Sequence, residues 1–147
     1  MLNKQAYSLV DFFVKHGLNV TDTLHVFDLD DTLLCTKELI IEAYIAAGMT
    51  RETVLENWGR SAEEWVPENV RKLKKKAYSK ILTKAKPEAT ILYHAARSGL
   101  LGSGVMTLTG ASLDSYNLLH KTMGYLPNNL GTSIRRGGKA EIITQVA

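Results

Sequence analysis

Two patterns of apolar positions run along the chain. Continuous apolar runs occupy residues 23–27 and 105–110, and both are rich in β-branched residues. Such runs are typical of buried strands. A weaker run at residues 130–134 predicts a third strand.

Helical spacing of apolar residues dominates the rest of the sequence. It predicts a helix over 4–16, a helical block from about 37 to 86, and helices over 89–98, over 114–123 and from Lys139 onward. Within the block, helices are expected over 38–47, from Thr50, from Ala62 to a break at Pro67, and over 68–83. Buried strands separated by helices favour an α/β fold with a parallel sheet flanked by helices.

Composition narrows the class of protein. The 147 residues are 45% hydrophobic and 22% charged, which fits one globular domain and excludes collagen-like, mucin-like and disordered chains. No apolar run approaches the roughly 18–20 residues that cross a bilayer. The N-terminal stretch carries Asp11 and Lys15 and resembles no signal peptide. Cys35 is the single cysteine, so we expect a buried thiol in a reducing, cytoplasmic protein.

The net charge of +3 is concentrated in the basic segment, residues 71–80. One interpretation is a patch that attracts phosphate groups of a nucleic acid or a phosphorylated substrate. The other is the solvated face of a helix whose Val70, Leu73, Ala77 and Ile81 point inward. The solvated face is favoured, because charge runs usually mark such faces.

Asp28 and Asp30 follow the first predicted strand, where ligand sites lie in parallel sheets. Two carboxylates so close repel each other unless a cation or a proton relieves them, and Mg²⁺ prefers such oxygen ligands. A calcium loop of the EF-hand type is excluded, because Leu33 and Leu39 stand where glycine and an acid are needed. An acidic turn in which Asp31 or Thr32 caps the next helix is the remaining alternative.

The run from His25 to Leu34 resembles the first motif of the haloacid dehalogenase superfamily of phosphohydrolases, a hydrophobic strand followed by Asp-x-Asp-x-Thr-Leu. The resemblance implies that Asp28 is the nucleophile that forms an aspartyl-phosphate. It implies that Asp30 is the general acid and base. It also implies Mg²⁺ held by the Asp28 carboxylate and the Asp30 backbone carbonyl.

Two later segments resemble further motifs of the same superfamily. Thr109, at the end of the second strand, matches the hydroxyl residue that hydrogen-bonds the phosphoryl group, with Thr107 as the less favoured register. Lys139, near a predicted helix start, matches the lysine that neutralises phosphoryl charge, with Arg135 or Arg136 as substitutes. An ordinary surface lysine is the alternative for Lys139.

The resemblance also implies a Rossmann-like core, here residues 1–36 and 87–147, with a small helical cap inserted at residues 37–86. It further implies a fourth motif, a strand ending in two acids after the lysine helix. The sequence contains none, since Glu141 is the last acid and lies within the predicted helix. A truncated chain, an acid from another subunit and a reduced variant with weak metal binding or no turnover all stay open as explanations.

These observations predict a magnesium-dependent phosphomonoester hydrolase acting on small phosphorylated substrates, nucleotides among them. Two alternatives remain. One is a weakly active or inactive module for binding or assembly. The other, supported only by the basic segment, is a phosphatase that processes nucleic-acid ends. No membrane partner is expected.

Overall fold

The computed structural model describes residues 11–131 of the chain. Residues 11–15 of the first predicted helix are helical and form α1. Residue 16 lies in a turn, so the helix ends one residue before its predicted end. Residues 4–10 of that prediction, residues 132–134 of the weak strand and the helix from Lys139 lie outside the described residues.

Five strands and seven helices make up the described part of the chain. After α1 and a 3₁₀ turn, Val20–Asp22, the order is β1 His25–Phe27, β2 Leu34–Cys35, α2 Lys37–Ala46, α3 Arg51–Glu56, α4 Ala62–Trp65, α5 Glu68–Lys84, β3 Glu88–Ala89, α6 Ile91–Ser98, β4 Val105–Leu108, α7 Leu113–Met123 and β5 Asn128–Gly131. None of these helices has the length and apolar character needed to cross a bilayer.

The central sheet is parallel, in the order β1-β4-β5. His25 of β1 pairs with Val105 of β4, and Met106 of β4 pairs with Asn128 of β5. The predicted α/β class with a parallel sheet between helices is therefore confirmed. The third strand begins at Asn128, two residues before the predicted start.

A second, two-stranded sheet was not predicted. Leu34 of β2 pairs antiparallel with Ala89 of β3, so the chain leaves and re-enters the body at one place around the helical block. The prediction of a helix from residue 89 is wrong, because Glu88–Ala89 is a strand and the helix begins at Ile91. Cys35 lies at the exposed end of β2, and the prediction of a buried thiol is wrong.

The helical block packs on the same hydrophobic core as the parallel sheet. Tyr78 and Leu82 of α5 and Ala43 of α2 join Leu119 of α7 in the largest buried cluster. A smaller cluster inside the block gathers around Ile41, Tyr44, Val54 and Val66. The boundaries of core and cap at residues 37 and 86 stay predictions.

The inward face of α5 is centred on Tyr78 and Leu82, which are both buried. Leu73 is 51% exposed, so its predicted inward orientation is wrong. At about 100° per residue, Leu73 lies roughly 140° around the helix from Tyr78. Burying Tyr78 and Leu82 turns Leu73 to solvent and brings Lys74 inward.

A close backbone approach joins the loop before β4 to the 3₁₀ turn before β1. Gly102 has a φ of +82°, and a Cβ at this position would lie 2.7 Å from the Thr21 carbonyl oxygen. Gly99, with a φ of +85°, has nothing within 4 Å of such a Cβ. Only glycine adopts the left-handed backbone at position 102 and also leaves room for the Thr21 carbonyl oxygen without strain.

We therefore expect Gly102→Ala to lower the free energy of unfolding by about 2–4 kcal/mol, from a left-handed backbone and a steric clash together. The matched variant Gly99→Ala should cost about 1–2 kcal/mol from backbone strain alone. Urea unfolding followed by circular dichroism measures both values. Equal losses in the two variants would contradict the close approach.

Candidate active site

The ends of β1 and β4 bring the first two sequence motifs to one edge of the sheet. The two strands are parallel neighbours, and Phe27 of β1 pairs with Thr107 of β4. Asp28 directly follows β1, and the segment 109–112 follows β4. Parallel strands end at the same edge, so Asp28 and the Gly110–Ser112 loop line one cavity.

A tight turn of residues 29–34 positions Asp30. The Leu33 and Leu34 amides each donate to the Leu29 carbonyl at 3.1 Å, and the Asp31 amide donates to the Leu34 carbonyl at 2.7 Å. Leu29, Leu33 and Leu34 are fully buried and anchor the turn in the core. These contacts leave Asp30 little freedom to move.

Asp31 has a local structural role. Its φ of +60° is in the left-handed region, which aspartate tolerates better than most residues. Its Oδ1 accepts a hydrogen bond from the Lys37 amide at the start of α2, at 3.1 Å. The capping alternative considered for the acidic turn therefore describes Asp31.

Asp30 occupies a desolvated environment. The hydroxyl of the fully buried Thr36 donates a 2.6 Å hydrogen bond to Asp30 Oδ1. Burial raises the pKa of Asp30 above its ordinary value, and the charges of Asp28 and Asp31 raise it further, whereas Thr36 and Lys74 act in the opposite direction. A carboxyl group with a raised pKa can act as a proton donor closer to neutral pH.

Lys74 of α5 lines the same cavity and is a residue that the sequence did not single out. Its ammonium group lies over the rings of Tyr44 and Tyr78, at 5.2 and 5.1 Å from their centroids. Burial lowers the pKa of Lys74, and the charge of Asp30 partly offsets this effect. The basic segment thus has one partly buried lysine directed toward the acids, among lysines that are mostly exposed.

The acids and Lys74 share a cavity of about 760 Å³. Its lining combines the loop after β1, the loop after β4 and the helical block, including Asp28, Asp30, Asp31, Tyr44, Trp58, Trp65, Arg71, Lys72, Lys74, Lys75, Tyr78, Gly110, Ala111, Ser112 and Ser115. The cavity is large enough for a small organic ligand.

Thr109 lies beneath this cavity. It is fully buried, and its Oγ1 accepts a hydrogen bond from the Ala111 amide at 3.1 Å. Its neighbours Gly110 and Ala111 line the cavity, whereas Thr109 itself is not among the lining residues. Thr107 donates across the sheet to Asn129 Oδ1 at 3.1 Å. The structure therefore brings Asp28 and Asp30 into one cavity and places Thr109 next to it.

Lys139, Arg135 and Arg136 lie outside the described residues, so the structure does not place the predicted lysine. Within residues 11–131, no group of three or more histidine, cysteine, aspartate or glutamate side chains is arranged to hold a metal ion. The Asp28 carboxylate and the Asp30 carbonyl are hard oxygen ligands of the kind that Mg²⁺ takes, since it commonly uses one or two carboxylates with water and substrate phosphate. The donor chemistry present therefore fits Mg²⁺.

No protein-family model matches the sequence, and no curated protein matches it.

Replacing Asp30 tests the electrostatics of the site. We expect Asp30→Asn to raise the unfolding temperature at pH 7 by a few degrees in the presence of EDTA. Because the folded pKa is raised, the ionised form of Asp30 destabilises the native state, and asparagine can keep the hydrogen bond from Thr36.

The gain should shrink as the pH falls through the raised folded pKa, and it should vanish below the ordinary value of 3.8, where the acid is protonated in both states. Thermal unfolding between pH 3 and 8 measures this. The exposed Asp22→Asn should show no such gain. A loss of stability in Asp30→Asn at pH 7 would show that the carboxylate is stabilising instead.

Proposed function

We propose that this protein is a magnesium-dependent phosphomonoester hydrolase of the haloacid dehalogenase type, acting through an aspartyl-phosphate on Asp28. One observation carries the proposal. Asp28 and Asp30 follow a buried parallel strand and line one cavity, and the second acid has a raised pKa. The match of residues 25–34 to the first motif of that superfamily supplies the choice of reaction.

In the first step, a carboxylate oxygen of Asp28 attacks phosphorus and the ester P–O bond breaks. The leaving oxygen takes the proton of Asp30, whose raised pKa makes it a competent donor. In the second step, water attacks the phosphorus of the aspartyl-phosphate while Asp30 takes its proton. Inorganic phosphate leaves, and both carboxyl groups return to their starting states.

Positive charge is the main requirement of this reaction, because an aspartate must approach an anionic phosphoryl group. Mg²⁺ held by the Asp28 carboxylate and the Asp30 carbonyl would neutralise part of this charge when bound. Lys74 is a second source, since its ammonium group lines the same cavity. Thr109 is fully buried behind Gly110 and Ala111, so its hydrogen bond to a phosphoryl oxygen stays a prediction of the resemblance.

We expect Asp28→Asn to abolish hydrolysis of p-nitrophenyl phosphate in the presence of Mg²⁺, with a loss of roughly 10³-fold or more, because the amide is not a nucleophile. The exposed Asp22→Asn should retain wild-type activity. Release of nitrophenolate measures both rates. Equal rates in wild type and Asp28→Asn, or no magnesium-dependent activity at all, would contradict an enzyme and favour a binding module.

Lys74→Gln should lower kcat/KM by about 10–100-fold and move the alkaline limb of the pH–rate profile upward. The charge of Lys74 lowers the pKa of Asp30, so its removal lets Asp30 hold its proton to higher pH. Lys76→Gln, an exposed change on the same helix, should leave the rate and the profile unaltered. A rate loss with no shift of the profile would contradict coupling between Lys74 and Asp30.

A further inference from the structure

Three side chains that line the cavity each carry a buried polar atom that has no hydrogen-bond partner among the described residues. The atoms are Trp65 Nε1, Arg71 Nε and the Tyr78 hydroxyl. Tyr78 is only 2% exposed, and burial raises its pKa, so the hydroxyl keeps its proton. Buried donors are rarely left unpaired in folded proteins. Their presence in one cavity indicates a ligand that supplies the missing acceptors.

The chemistry of these atoms selects the ligand. An indole N–H and a guanidinium N–H can only donate, so they call for acceptor oxygens. Arg71 also carries a full positive charge, and a planar guanidinium favours carboxylate or phosphate. No carboxylate of the described residues forms an ion pair with Arg71, whereas Lys72 and Lys75 each have an exposed acidic partner. The missing partner is therefore an oxyanion.

Two tyrosines of the cavity lining lie close to its charged groups. The negative charge of Asp30 acts on the Tyr78 hydroxyl, and the positive charge of Arg71 acts on the Tyr44 hydroxyl. The Trp65 ring lies 5.4 Å from the Tyr44 ring, so Trp65 and Arg71 are both close to Tyr44. Arg71 and Tyr78 are seven residues apart on one face of α5, which is about 10 Å along the helix axis.

We propose that Trp65 and Arg71 form a subsite for a second acidic group of the substrate. The preferred substrates are then phosphomonoesters that carry a further phosphate or carboxylate able to reach Arg71 while the phosphoryl group that is removed lies at Asp28. Tyr78 lies between the two sites. The kinetic test of this inference rests on the proposed phosphatase activity, whereas the affinity of the subsite for a doubly acidic probe can be measured without turnover.

The test compares three probes on the full-length protein with Mg²⁺: hexyl phosphate, 1,6-hexanediol bisphosphate and 6-phosphonooxyhexanoate. We expect kcat/KM for at least one doubly acidic probe to exceed that for hexyl phosphate by about 10–100-fold. The doubly acidic probe with the higher kcat/KM identifies phosphate or carboxylate as the second group. Equal values for all three probes would overturn the subsite and leave the phosphatase proposal intact.

Two variants test whether Arg71 and Trp65 cause the preference for doubly acidic probes. Arg71→Gln should bring the ratio of kcat/KM between the doubly acidic probe and hexyl phosphate close to one. Trp65→Phe, which keeps an aromatic ring but removes the indole N–H together with the five-membered ring, should lower that ratio several-fold. Lys76→Gln should keep the wild-type ratio. A wild-type ratio in folded Arg71→Gln or Trp65→Phe, checked by thermal unfolding, would overturn the assignment.

Calorimetric binding of the same probes separates this inference from the proposed function. If no probe is hydrolysed but a doubly acidic probe binds more tightly than hexyl phosphate, and Arg71→Gln removes the difference, the phosphatase proposal fails and the subsite stands. If neither hydrolysis nor a difference in affinity is seen, both fail.

Discussion

Asp30 is a half-buried carboxylic acid in the turn after β1, and neighbouring groups compensate part of the solvation that it loses. Removing an ionised carboxylate from water is costly unless charge and hydrogen bonds replace the lost solvation. Thr36 supplies a 2.6 Å hydrogen bond, and the charge of Lys74 acts on Asp30 from α5. Because burial still dominates, the pKa of Asp30 remains raised. The raised pKa favours Asp30 as a group that exchanges a proton rather than as a permanent anion.

This constraint explains the orientation of the basic helix. The charge of Lys74 can act on Asp30 only if α5 presents the face that also carries Tyr78 and Leu82, and those side chains pack into the main core. The same rotation places Arg71 on the cavity wall and exposes Leu73. Acids from the sheet edge and cations from α5 then face each other across one cavity, which suits a substrate that carries negative charge.

The sequence predicts the parts of this structure that depend on local patterns. Apolar runs identified β1 and β4, and Thr50 caps α3 as expected, its side chain accepting a hydrogen bond from the Thr53 amide. The two-residue strands β2 and β3 are too short for any periodicity, so their pairing was missed. Lys74 was not identified because neighbouring lysines carry the same charge. Only the tertiary packing of Tyr78 and Leu82 decides which of them faces inward.

The distribution of unpaired polar groups distinguishes a site from a fault in packing. Away from the cavity, buried hydroxyl groups have partners: Tyr93 donates to the Tyr125 carbonyl at 3.0 Å, and Tyr116 donates to the Pro127 carbonyl at 2.6 Å. The three unpartnered buried atoms of the described residues all belong to side chains that line the cavity shared by Asp28 and Asp30. Random imperfection would scatter such atoms through the core. Their concentration beside a half-buried acid indicates that the native state gives up stability in one place, as binding and catalytic sites do.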